Sequence, residues 1–142
     1  MAATIDSAYP RTLHPVHAAL LAFSVPLFLG AALSDFAYLS SYQVQWTNFA
    51  SWLMAGGLVF CGFALLWAIV DLLRADRRGK RALLLVLLLL ATWVLGFINA
   101  LIHSRDAWGS MPAGLILSAI VAGLILLATW IGFATFRADR TR

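Results

Sequence analysis

Four apolar stretches, at about residues 15–39, 47–73, 82–104 and 112–136, account for most of a chain of 142 residues. A helix rises ~1.5 Å per residue and a bilayer's hydrocarbon core is about 30 Å thick, so about 20 apolar residues are enough to cross it. Each stretch meets that length. The bilayer interior offers no water to an unpaired amide, so only helices or closed barrels cross it. With connectors this short, the sequence predicts an all-α membrane fold: a four-transmembrane-helix bundle running up-down-up-down. The expected organisation is a short tail at 1–13, one transmembrane domain at 14–137 and a second tail at 138–142.

The ten Lys and Arg side chains set the expected orientation. Arg11 precedes the first stretch, Arg74, Arg77, Arg78, Lys80 and Arg81 lie in or beside the second connector, and Arg137, Arg140 and Arg142 follow the fourth stretch. An alternating bundle puts these nine at one end and leaves Arg105 alone at the other. An excess of Lys and Arg marks the cytoplasmic face, so both termini are expected there. The net charge of +4 therefore belongs to loops that orient helices and meet anionic headgroups, and it does not imply nucleic-acid binding. The opening residues MAATIDSAYPRT lack an apolar segment followed by a small-residue cleavage site, so the first stretch reads as a retained span. Cys61 is the only cysteine. It supports no disulfide framework and reads as a small packing residue.

Helical periodicity separates a bundle face from a lipid face, because small and polar residues line contacts where lipid gives helices no hydrophobic drive to associate. His17, Leu21, Ser24, Phe28, Ala31 and Asp35 recur at spacings of four and three. Thr47, Ala50, Met54, Gly57, Cys61, Ala64, Ala68 and Asp71 follow the same rhythm, as do Thr92, Gly96, Asn99 and His103, and Gly114, Ser118 and Ala122. Each set is one face of a helix. The leucine-rich run at 83–90 is expected to provide lipid-facing and packing surface. Pro15 and Pro112 suit first-turn positions, and Pro26 predicts a kink. Aromatic side chains gather near the expected boundaries, with Phe36, Tyr38, Tyr42, Trp46, Trp52 and Trp108 at one and Trp67, Trp130, Phe133 and Phe136 at the other. Interfacial belts have this pattern.

Ionisable groups at membrane depth are functional candidates, and here they fall into two groups. His14 and His17 share a face at the start of the first stretch, and Asp71 lies near the end of the second. Two histidines and a carboxylate form a candidate metal site. The competing reading pairs Asp71 with Arg74 or Arg78 and uses the histidines to cap the helix. The second group is Asp35, Asn99, His103, Arg105 and Asp106, with Asn48 nearby in sequence pattern. Its two readings are a hydrogen-bonded clasp between helices, with His103 or Arg105 as the counter-charge of Asp35, and a proton relay or ligand site. Bis-histidine haem ligation by His17 and His103 is excluded within one chain. The two sit at opposite ends of antiparallel spans, roughly 25 Å apart at ~1.5 Å per residue, whereas one metal holds two ligand nitrogens within about 4 Å.

The segments LHPVHAALLAF, LSDFAYLSSYQVQWTNFASWLMAGGLVF and NALIHSRDAWGSMPAGLILS resemble the bacterial membrane-protein family catalogued as domain of unknown function 2231. The resemblance implies a four-helix inner-membrane protein without an assigned activity. It carries His14, His17, Asp35, Trp46, Asn99, His103, Arg105, Asp106 and Trp108 as motif residues. Family members often have a histidine early in the third helix where this chain has leucines, and prolines where it has Ala18 and Ser24.

No nucleophile with a base, phosphate loop or paired-carboxylate site stands out, and the chain contains no glutamate. The leading functional expectation is a non-enzymatic accessory component that binds a membrane-protein partner or another copy of itself. The alternatives are a metal- or haem-binding redox protein using His14 and His17, and a small transporter or proton conduit.

Overall fold

A computed structural model describes residues 13–74, 79–105 and 107–139. Arg11, Arg77, Arg78, Asp106, Arg140 and Arg142 lie outside the described residues, as do most of the two expected tails and the side chains of Trp108, Phe136 and Arg137. Helix α1 spans Pro15–Ser41, α2 Val44–Leu73, α3 Lys80–His103, α4 Ala107–Ser110 and α5 Ala113–Asp139. Four of these are long and apolar enough to cross a membrane, and α4 is a single turn within the third connector. Only 22–33% of each span's most apolar window is buried. Apolar surface exposed on that scale around four helices is stable only against lipid.

The helices form a ring in which α1 packs on α2 and α5, and α3 packs on the same two. Neighbours run in opposite directions. His14 at the start of α1 meets Trp67 near the end of α2, while Gly30 late in α1 approaches Leu53 early in α2. Gly132 late in α5 approaches Leu21, and Gly114 early in α5 approaches His103.

Local chemistry fixes the helix ends. Pro15 occupies the first turn of α1, and His14 caps it by accepting the Val16 backbone N–H on Nδ1 at 3.3 Å. At the other end Tyr42 adopts φ 56°, in the left-handed region, and its N–H closes on the Tyr38 carbonyl at 2.7 Å. That one residue turns the chain. Helix α1 therefore runs past the expected boundary at 39, and α2 begins at Val44 rather than 47. α1 continues through Pro26.

The inward faces are the periodic stripes. His17, Leu21, Ser24, Phe28, Ala31 and Asp35 are all buried, and so are Thr92, Gly96, Asn99 and His103 of α3. The leucine run divides between packing and lipid-facing surface: Leu85 and Leu89 are buried because they continue the α3 stripe towards its start, whereas Leu83, Leu84, Leu87 and Leu90 are exposed. One expectation is corrected. Tyr38 is buried rather than part of an interfacial belt, since it falls one turn beyond Ser34 and Asp35 on the same face. Phe28 is the packing hub: a Cβ on Gly57 of α2 would stand 2.8 Å from its ring, and one on Gly96 of α3 would stand 3.5 Å away. Trp93 ties α3 to α2 by donating its indole N–H to the Leu58 carbonyl at 3.2 Å.

Gly57→Ala is expected to lower the unfolding midpoint of the detergent-solubilised protein by the equivalent of about 1–3 kcal/mol, the usual cost of overpacking a filled core. Gly123→Ala, whose added Cβ would meet nothing within 4 Å, should cause no loss. Equal midpoints for the two variants would remove Phe28 from the centre of the packing.

Candidate functional site

The buried ionisable groups sit at the two ends of the bundle. At the end formed by the C-terminal turns of α1 and α3 and the start of α5, four side chains bond one another. His103 Nδ1 lies 2.9 Å from the backbone carbonyl of Asn99, one turn earlier in α3. A carbonyl only accepts, so Nδ1 carries a hydrogen. His103 Nε2 lies 2.7 Å from Asp35 Oδ1. One proton thus lies between the ring and the carboxyl, and the pair is neutral overall whichever partner holds it. Ser118 of α5 donates to Asp35 Oδ2 at 2.5 Å, and Asn99 Nδ2 donates to Ser118 Oγ at 2.7 Å. Asp35, Asn99 and Ser118 are each 0% exposed, and His103 is buried as well.

Three helices are joined by this ring of bonds, and its assembly depends on a small residue. A Cβ on Gly114 would stand 3.1 Å from His103 Cε1, so the missing side chain leaves room for that edge of the imidazole against α5. Of the two counter-charges weighed for Asp35, the structure brings up His103. Arg105 is exposed at the same end, and Asn48 is exposed near the start of α2. Asp106 lies outside the described residues. Ser118 completes the network although the sequence marked it only as a small residue in a Gly114, Ser118, Ala122 stripe. The remaining polar atom, Asn99 Oδ1, is buried with no hydrogen-bond partner.

At the opposite end the expected trio of His14, His17 and Asp71 is not drawn together as ligands. Among the described residues, no group of three or more His, Cys, Asp or Glu side chains is placed to hold a metal ion. His14 and His17 make other contacts at this end. His14 Nδ1 accepts the Val16 N–H, so in the neutral ring the hydrogen sits on Nε2, which is then a donor rather than a metal ligand. Trp67 packs against both imidazoles, with ring centroids 4.8 Å from His14 and 6.2 Å from His17. Asp71 lies 3.9 Å from Arg74, a long and partly exposed ion pair. His17 is 1% exposed, and neither of its ring nitrogens has a hydrogen-bond partner. Its polar neighbours are Asp71 and the Ala64 backbone.

Four apolar spans, with the buried ionisable side chains Asp35, His103 and His17 near the ends of the bundle, define a multi-pass integral membrane protein. The chain belongs to the family described as "Predicted membrane protein (DUF2231)", which it matches over residues 13–139. That match takes in all four spans, the cap residue His14, His17 and the whole polar ring. Comparison with curated proteins and with solved structures gave no significant match.

Ser118→Ala removes the donor to Asp35 Oδ2 and the acceptor of Asn99 Nδ2. It is expected to destabilise the protein by about 1 kcal/mol, the scale of a polar contact between membrane helices. Ser40→Ala, which deletes only an exposed bond to the Ala37 carbonyl of its own helix, should be neutral in the same unfolding assay. A neutral Ser118→Ala would show that α5 is not held through this bond.

Proposed function

We propose that this protein is a non-enzymatic accessory component of the bacterial inner membrane, with both termini in the cytoplasm, whose outer face is locked by the Asp35–His103–Asn99–Ser118 ring. The observation that carries this reading is that the reactive side chains at that end are spent on each other. Both His103 nitrogens and both Asp35 oxygens have partners within the bundle, which leaves a fastening rather than a reaction centre. A rigid bundle of this kind offers a partner membrane protein, or a second copy, a fixed set of helix faces. The orientation is supported by the exposed cations Arg74, Lys80 and Arg81 at the end opposite Arg105.

One observation favours a second reading, a metal- or haem-binding protein. The imidazole of His17 is buried without a partner, and a buried ring nitrogen left unpaired is costly. Ligation at His17 would need further donors besides His14, which is committed to the helix cap.

A single preparation separates these readings. Protein carrying a C-terminal reporter active only in the cytoplasm should give signal in cells. After purification and reconstitution into vesicles it should show no Soret band, less than one metal ion per chain and no proton leak above that of empty vesicles. A strong visible spectrum or stoichiometric metal, lost in His17→Ala, would replace the accessory reading with the second one. Proton flux abolished by Asp35→Asn would make the polar ring part of a conduit.

A further inference from the structure

Near the basic end of the bundle the outer surface carries a groove of about 490 Å³ between α1 and α2. Val16 and Leu20 of α1 face Phe63, Leu66, Trp67 and Val70 of α2 across it, and Asp71 and Arg74 close its end. The floor is apolar over the two turns from Phe63 to Val70, roughly 10 Å of helix length at ~1.5 Å per residue. Val16, Phe63, Leu66 and Val70 are exposed, so the groove opens on the lipid side of the bundle rather than into its core.

Two hydrogen-bond donors stand close by, Arg74 in the groove's lining and His14 against its Trp67. Arg74 follows the last turn of α2, with its side chain 60% exposed and a 3.9 Å contact to Asp71. His14 packs on Trp67, and its cap bond to Val16 fixes the free ring nitrogen, Nε2, as a donor in the neutral ring. Helix α2 has 30 residues, about 45 Å at ~1.5 Å per residue. That exceeds the hydrocarbon core of about 30 Å, so both donors stand at headgroup level. Lys80 and Arg81 are exposed at the same end.

We infer that this groove is a binding site for an anionic phospholipid, with one acyl chain along Leu20, Phe63, Leu66 and Val70 and the phosphodiester held by Arg74 and the His14 Nε2–H. Charge complementarity selects the occupant. A guanidinium and an imidazole N–H recognise a phosphate, and although the Asp71 carboxylate also lines this end, the exposed cations Arg74, Lys80 and Arg81 outnumber it and favour a headgroup without an ammonium. The proposal is independent of the accessory reading, since it concerns the lipid face of α1 and α2 and not the polar ring.

Trp67 lines the groove and reports its occupant. Protein is reconstituted in vesicles of phosphatidylcholine and phosphatidylglycerol in equal parts, with bromine on the acyl chains of one lipid or the other. The Trp67 signal is the difference between wild type and Trp67→Phe. Brominated phosphatidylglycerol should show an association with Trp67 about fivefold stronger than brominated phosphatidylcholine, the scale of one basic contact at a membrane surface. That preference should fall to near unity in Arg74→Gln, and in wild type at 1 M salt, where the Debye length is about 3 Å. Equal quenching by the two lipids in wild type, or a preference unmoved by salt, would overturn the proposal even if Arg74→Gln fails to fold. So would Trp67 fluorescence quenched by neither lipid, the result expected if a protein helix or a second copy fills the groove.

Discussion

A carboxyl group in a bilayer has no water to bond, and every other feature of the polar end follows from where Asp35 finds substitutes. It finds them on two other helices: a ring N–H or ring nitrogen from His103 and a hydroxyl from Ser118. His103 is in turn held through Nδ1 by the Asn99 carbonyl, and Asn99 reaches back to Ser118. Because each group depends on the next, α1, α3 and α5 cannot slide or rotate independently at this end. The same low dielectric that makes the assembled ring strong makes any broken member expensive, so the ring acts as one unit.

The middle of the bundle is held differently. There most contacts are van der Waals packing of Phe28 into the space left by Gly57 and Gly96, with small residues such as Ala31, Ala64 and Cys61 buried along the stripes, and the Trp93–Leu58 hydrogen bond adds one polar tie between α3 and α2. Lipid tails are as apolar as leucine, so close approach and shape fit, rather than burial of oily surface, decide which faces meet. The two mechanisms divide the labour: packing sets helix separation along the spans, and the polar ring sets axial register at one end. The other end carries the exposed cations Arg74, Lys80 and Arg81 and an apolar groove on its outer surface.

The sequence made the architecture legible because span length and the alternation of four and three are properties of single helices. His17, Phe28, Asp35, Asn99 and His103 could each be assigned inward before any helix was placed against another. What could not be read were features that depend on register between helices. Ser118 meets Asp35 only because α5 sits at one particular height against α1, so it looked like one more small residue. Leu85 and Leu89 were hidden in a run where every position is apolar and periodicity vanishes. The short turn depends on Tyr42 adopting a conformation that tyrosine seldom takes. His14 and His17 share a helix face, but the sequence could not show that Trp67 packs against both imidazoles or that His14 Nδ1 accepts the Val16 amide.

The central claim is that Asp35 and His103 are energetically coupled across the bundle, and a double-mutant cycle tests it most directly. Unfolding free energies would be measured in mixed micelles for wild type, Asp35→Ala, His103→Ala and the double variant. The account predicts that each single change destabilises the protein and that the double variant loses less than the sum, with a coupling on the order of 1 kcal/mol or more, because either substitution alone strands a buried polar partner. Losses that add to within about 0.5 kcal/mol, the range found for sites that do not interact, would contradict it.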